Sequence, residues 1–137
     1  MRILAIDPGE KRIGVAICDP TGTIAAPLTV IKHISRLVDA ANIADLAIQN
    51  QAGLIVIGKS LDDDGYPTSA SRRADRLAEA IRQQCNLPLQ MWDESFSTQD
   101  ARQAYIDMGT TRQKRRGHLD ELAATVILQS YLDSVAK

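Results

Sequence analysis

The sequence predicts an α/β fold: a five-stranded mixed sheet, made of a three-strand antiparallel meander plus two parallel strands, flanked by helices. Three observations carry this. Ile3-Leu4-Ala5-Ile6 is an unbroken apolar run that stops on Asp7 and a Pro8-Gly9 turn, the pattern of a central strand covered on both faces. Two more β-prone segments follow at tight-turn spacing. Beyond Ser35, stretches of helical periodicity alternate with short apolar runs, as where helices connect parallel strands.

Taken in order, residues 1–7 form the first strand, and Arg12 to Cys18, apolar and β-prone, pairs antiparallel with it. Asp19-Pro20-Thr21-Gly22 is a turn with Pro where type I favours it, and Thr23 to Val30 is the third strand. Ser35 is the N-cap of a helix to about Gln51, with Leu37, Ala41, Ala44 and Ile48 at helical spacing and Gly53 as its stop. Leu54 to Gly58 is a buried strand, parallel to the first because a helical crossover precedes it. Lys59 to Pro67 is a polar loop. The next helix spans about Thr68 to Gln84 with Ala70, Ala74, Leu77 and Ile81 on one face. Leu87 to Trp92 is the fifth strand, running into Asp93-Glu94. Ser97-Thr98-Gln99-Asp100 has capping-box spacing and opens a helix to about Met108, closed by Gly109. The basic stretch 110–117 shows no apolar periodicity and is expected to be a mobile link. The last helix runs from about His118 to Ser134 and is apolar through Leu122, Ala123, Val126, Ile127 and Tyr131.

Length and composition bound the class. At 137 residues, with 45% hydrophobic and 24% charged, one domain over residues 1–137 is expected. No apolar stretch has the length of a signal peptide or a membrane span, so a cytoplasmic protein without a membrane partner is expected. Cys18 and Cys85 lack Cys-x-x-Cys spacing and read as reduced, packed thiols. The net charge of −1 gives no ground by itself for a nucleic-acid partner. The charge is clustered, however: Arg112, Lys114, Arg115, Arg116 and His118 crowd one stretch, with Lys11-Arg12 and Arg72-Arg73 in two others. Locally basic surfaces on a neutral protein suit a phosphate-rich partner, and such contacts position a backbone without reading its sequence.

Strands one, four and five end on one edge, where open α/β sheets place ligands. Asp7 ends the first and Glu94 ends the fifth. Asp120, in the first turn of the final helix as expected here, shares a face with Ala123, Ala124, Ile127 and Tyr131 and can reach the same edge. Each acid alone has a structural reading: a turn cap for Asp7, a loop acid for Glu94, a helix-dipole partner for Asp120. Together they need a cation, since two carboxylates ~4 Å apart repel by roughly 4 kcal/mol at an effective dielectric near 20. Hard oxygen ligands suit Mg²⁺ or Mn²⁺, and the matching chemistry is phosphodiester hydrolysis.

Asp62-Asp63-Asp64-Gly65 lacks the alternating acids and distant Glu of a calcium loop and reads as a solvated turn. Ser97 and Thr98 have no His placed to activate them and read as capping residues. His33 reads as a surface residue. Trp92 reads as core, next to the site.

Asp7-Pro8-Gly9-Glu10-Lys11-Arg12-Ile13-Gly14-Val15-Ala16, Ile57-Gly58 with Asp64-Gly65, Asp93-Glu94 with Ser97-Thr98, and Asp120 with Ala123-Ala124 and Ile127 to Leu132 together closely resemble the YqgF/RuvX family. The resemblance spans nearly the whole chain, and the opening motif is highly specific. It implies an RNase H-like fold, a divalent-metal site on Asp7, Glu94 and Asp120, and endonuclease activity maturing the 5′ end of pre-16S rRNA in ribosome biogenesis. The chain departs from the family pattern at Lys59-Ser60, where Pro is usual, and at Ser95, where Arg is usual.

Three other functions are open to the same sequence. Cleavage of four-way DNA junctions uses the same chemistry and normally two symmetric sites. An actin/hexokinase-type phosphotransferase also opens with an acid, a Gly and a hairpin, but closes two such domains on its nucleotide. A non-catalytic nucleic-acid-binding factor would keep the basic stretch and tolerate loss of the acids.

Overall fold

The computed structural model describes residues 1–61, 64–93 and 112–136, with backbone alone over 112–121. Its strands are β1 (Arg2–Pro8), β2 (Arg12–Cys18), β3 (Ala25–Lys32), β4 (Ala52–Lys59) and β5 (Leu89–Asp93). The helices among the described residues are α1 (Arg36–Gln49), α2 (Ser69–Arg82) and α3 (Arg112–Val135). The sheet order is β3-β2-β1-β4-β5. β2 pairs antiparallel with β1 and β3, while β4 lies parallel to β1 and β5 to β4. The expected meander and its two parallel additions are both present, with β1 at the centre.

β1 earns that place by having no wet side. Leu4 and Ile6 join one apolar layer with Ile13, Val15, Ile55 and Ile57, covered by α1 and α2. Ile3 and Ala5 join the other, with Ala16, Cys18 and Val56, covered by Ala124, Ile127, Leu128 and Leu132 of α3. The alternation is the period of two that strand geometry dictates.

The helix starts follow their capping chemistry. Ser35 Oγ accepts from the Val38 N–H, and Thr68 and Ser71 form a reciprocal capping box at the start of α2. α2 buries Ala74, Leu77 and Ile81 as the spacing predicts. Of the predicted stripe on α1, Ala44 alone is buried. The helix's buried residues are Asp39, Ala40, Ile43, Ala44 and Ala47, leaving Leu37 and Ile48 exposed. Three alanines along that line let the helix lie close to the sheet, and Asp39 is acceptable there because its carboxylate is satisfied. The helix also stops earlier than expected, at cap Asn50, with Gln51 rather than Gly53 taking the positive φ of 59°.

Strand and helix boundaries differ elsewhere too: β4 starts two residues before the expected Leu54 and β5 two after the expected Leu87. β3 starts and ends two residues later than Thr23 to Val30, because residues 19–24 are held in the turn. There Asp19 Oδ1 accepts from the Thr23 and Ile24 N–H groups, both at 2.8 Å, and Oδ2 accepts from the Thr21 hydroxyl. α3 begins at Arg112, where a mobile link was expected. Arg, Gln and Lys are good helix formers without any apolar period, and the periodic signal is blind to that. The expected helix from Ser97 to Met108 lies outside the described residues. Among those described, no helix is long and apolar enough to cross a membrane.

Two expected outcomes follow from these contacts. Ile6→Ala should cost about 2–5 kcal/mol in chemical denaturation, since Ile6 is fully buried at the sheet centre. The Ile24 N–H, then the Thr21 hydroxyl and the Thr23 N–H, hold the Asp19 carboxyl well below the usual carboxylate range. A depressed folded pKa stabilises above the unfolded value and is lost as pH falls. The stability gap between wild type and Asp19→Ala should therefore be full at neutral pH and shrink below about pH 4 in thermal melts.

Candidate active site at the carboxyl edge of the sheet

β1 delivers Asp7 to the sheet edge by simple alternation. Ile3 and Ala5 face α3, so Asp7, two residues on, belongs to that face, and it is half-buried. Its neighbours on the adjacent strands lack side chains. Asp7 pairs with Gly14 on β2, and on the other side Ile6 pairs with Ile57, after which Gly58 is next along β4. Gly58 in turn pairs with Trp92 of β5. A carboxylate is thus flanked by two glycines, then walled by an indole.

Trp92 fixes the far wall. Its Nε1 donates to Ser130 Oγ at 3.2 Å, and its ring meets Tyr131 edge-on with centroids 5.3 Å apart. These contacts tie β5 to α3, so Trp92 is a packing residue beside the site, as expected. Asp93 ends β5 on the same edge as Asp7.

The turn joining β1 to β2 closes tightly behind Asp7. The Gly9 N–H donates to the Arg12 carbonyl at 3.0 Å, and a Cβ on Gly9 would sit 2.4 Å from that same oxygen. The turn exposes Lys11 and Arg12 beside the acid, as the sequence implies.

Asp120 is the ninth residue of α3 rather than part of its first turn, because the helix starts at Arg112. The helix-dipole reading of Asp120 therefore loses its basis, since that effect fades within one turn. Asp120 lies four residues before Ala124 and seven before Ile127, both buried against the sheet. Arg112, Lys114, Arg115, Arg116 and His118 fall in the opening turns of the same helix. The side chains of these residues and of Asp120 lie outside the described residues, as does Glu94. Among the described residues no three acids, thiols or imidazoles come together as metal ligands. Of the predicted triad, Asp7 is the member with a described side chain.

Sequence reasoning missed one pair on the opposite face. His33, read as a lone surface residue, has its Nδ1 against Asp39 Oδ2, and Asp39 Oδ1 accepts from the Ile34 N–H at 3.1 Å. Asp39 is 1% exposed. The available signal was an acid falling on the inner stripe of α1, six residues after an otherwise unexplained His. Both cysteines are free, Cys18 buried and Cys85 partly so, as expected.

Residues 1–134 match the profile of a family described as RuvX, Holliday junction resolvase. A relative from Syntrophus aciditrophicus (strain SB), provisionally named a pre-16S rRNA nuclease, is 40% identical over 137 residues, covering 100% of this chain and 91% of its own. One from Thermoanaerobacter pseudethanolicus with the same name is 37% identical over 135 residues, 98% of this chain and 97% of its own. Among solved structures, Thermus thermophilus RuvC superposes with a TM-score of 0.66 at 12% identity, over 98% of this chain and 97% of that one. Fowlpox virus resolvase bound to Holliday junction DNA gives 0.63 at 16% identity, over 100% of each chain. At such identities the likeness is one of fold, and it is the RNase H-like fold that the family resemblance implies.

Gly9→Ala should lower stability by more than about 1 kcal/mol, because the turn must open to admit the methyl group. A thermal melt checks this, and an unchanged melting temperature would mean the turn is not held as described.

Proposed function

Because the chain belongs to the RuvX Holliday junction resolvase family, we propose that it is a divalent-metal-dependent endonuclease that hydrolyses phosphodiester bonds, with pre-16S rRNA as its substrate. The observation that carries this reading is the setting of Asp7. It is a half-buried carboxylate at the carboxyl end of the central strand, between two glycines, on the face that α3 covers. A carboxylate so placed is the hard oxygen ligand that Mg²⁺ or Mn²⁺ takes while keeping waters and meeting phosphate.

Asp7, Glu94 and Asp120 would hold the metal. Glu94 directly follows Asp93 at the end of β5, and Asp120 belongs to the helix on Asp7's side of the sheet. Bound there, the metal supplies an activated water and charge at the leaving oxygen. The chain's own residues do the rest. Asp7 fixes where at the sheet edge the metal, and with it the reacting phosphate, would sit, and the Trp92 wall limits solvent from the β5 side. Lys11 and Arg12 at the turn, with Arg112, Lys114, Arg115, Arg116 and His118 on α3, hold the backbone electrostatically. That mode of binding recognises shape and charge rather than base order.

Relatives named for pre-16S rRNA support the RNA substrate. The family description favours a second reading, cleavage of four-way DNA junctions. One assay separates them: purified chain with Mn²⁺ against a 16S precursor fragment and against a synthetic junction.

Asp7→Asn should abolish cleavage of the precursor by at least about a thousandfold, the scale on which essential catalytic groups act, with RNA binding retained. Cleavage by Asp7→Asn at the wild-type rate would sink the nuclease reading.

A further inference from the structure

On the other face of the sheet, a cavity of about 420 Å³ opens beneath the same turn that carries Asp7. Pro8 and Gly9 form its rim, and Ile13 and Leu77 contribute an apolar floor. Its walls are the openings of α1 and α2. Both helices start at this edge, because β3 and β4 both end here. Arg36 from α1, with Arg73 and Arg76 from α2, bring three guanidinium groups to one cavity.

The three are poorly matched by acids. Among the described residues Arg36 and Arg76 enter no ion pair, and Arg73 has only a 3.9 Å approach to the exposed Glu10. Arg73 Nε is buried yet has no hydrogen-bond partner. A buried guanidinium N–H without an acceptor is costly unless a ligand supplies one. The acid in the lining, Asp39, has both oxygens engaged, by His33 and by the Ile34 N–H. What the cavity lacks is an anion with several acceptor oxygens, which is the geometry guanidinium groups match best.

The charge does not stop there. His33 also lines a neighbouring open cavity of about 570 Å³, with Lys11, Arg12 and Lys32 around it and Glu10 at its margin. A cationic track thus runs from the arginine cavity along the hairpin. A single phosphate would use one end of it; a polymer of phosphates would use all of it.

We propose that the cavity between the starts of α1 and α2 binds a non-scissile phosphate of a nucleic-acid backbone, held by Arg36, Arg73 and Arg76. The bound strand then crosses the β1–β2 turn between this cavity and Asp7. Asp7 and the arginines lie on opposite faces of one sheet edge, so the turn is the saddle over which the strand bends. As a contact for the substrate of the proposed nuclease, the assignment rests on that reading. The cavity's affinity for phosphate does not depend on Asp7.

The test measures binding without added metal, so cleavage does not enter. Fluorescence anisotropy of a labelled single-stranded RNA is followed across a salt series for the full chain, Arg73→Gln, Arg76→Gln and the double variant. Each substitution should weaken binding by roughly tenfold and reduce the slope of log K against log salt by roughly 0.7. Inorganic phosphate at millimolar concentration should compete with RNA on the wild type and much less on the double variant. Arg73→Lys should recover the salt slope and part of the affinity. Arg76 is exposed, so Arg76→Gln keeps the test valid if Arg73→Gln fails to fold. Wild-type affinity and slope in both single variants would overturn the proposal. Loss of phosphate binding with RNA binding intact would overturn the backbone assignment in favour of a free phosphate. Failure of the nuclease reading shows separately, as cleavage by Asp7→Asn, and leaves the binding result standing.

Discussion

Everything in this structure depends on β1 being dry on both sides. Between Ile3 and Ile6 successive side chains enter different apolar layers, one closed by α1 and α2 and the other by α3. In a sheet with one wet face, a slip of one residue only trades core for surface. Here a slip would move Asp7 to the α1/α2 side and set its charge against Ile13 and Leu77. The burial of four ordinary aliphatic residues therefore determines which side of the molecule receives the acid.

The second constraint is topological. β1, β3, β4 and β5 all finish on the same edge, so the turn after β1 and the starts of α1 and α2 are neighbours. The sheet itself separates Asp7 from three arginines there. The acid that ends β1 faces α3, while the arginines of α1 and α2 face the opposite way. An intervening strand layer keeps the two sets from neutralising one another, which a mixed cluster on one face would do.

The parts legible in the sequence are those written in local signals. The apolar run into Asp7-Pro8-Gly9, the hairpin spacing, the cap at Ser35 and the start of α2 near Thr68 are each readable within a few residues, and the structure has all of them. The parts that were not legible depend on partners distant in the chain. Leu37 and Ile48 look like core residues on α1, but the sheet accepts the alanine side of that helix instead. His33 looks solitary until α1 brings Asp39 beneath it. The start of α3 at Arg112 rests on propensity without periodicity, to which a hydrophobic pattern is blind. For the candidate site, residue type and spacing gave Asp7 its place. Arg36 and Arg76 were invisible because no motif links two helix openings that only the crossover topology makes adjacent.

Cys18 shows how firmly the far end of this sheet is shut. Its thiol is 1% exposed, and its sulfur accepts the Ile3 N–H at 3.1 Å, taking a place in the wall between β1 and α3. Cys85, just past α2, is only partly covered. The two thiols consequently differ in what an alkylating reagent must wait for. Cys85 meets such a reagent at a helix end, whereas Cys18 stays behind Met1 and Ile3 at the start of β1, so the order in which the two thiols react reports on how firmly that strand is seated.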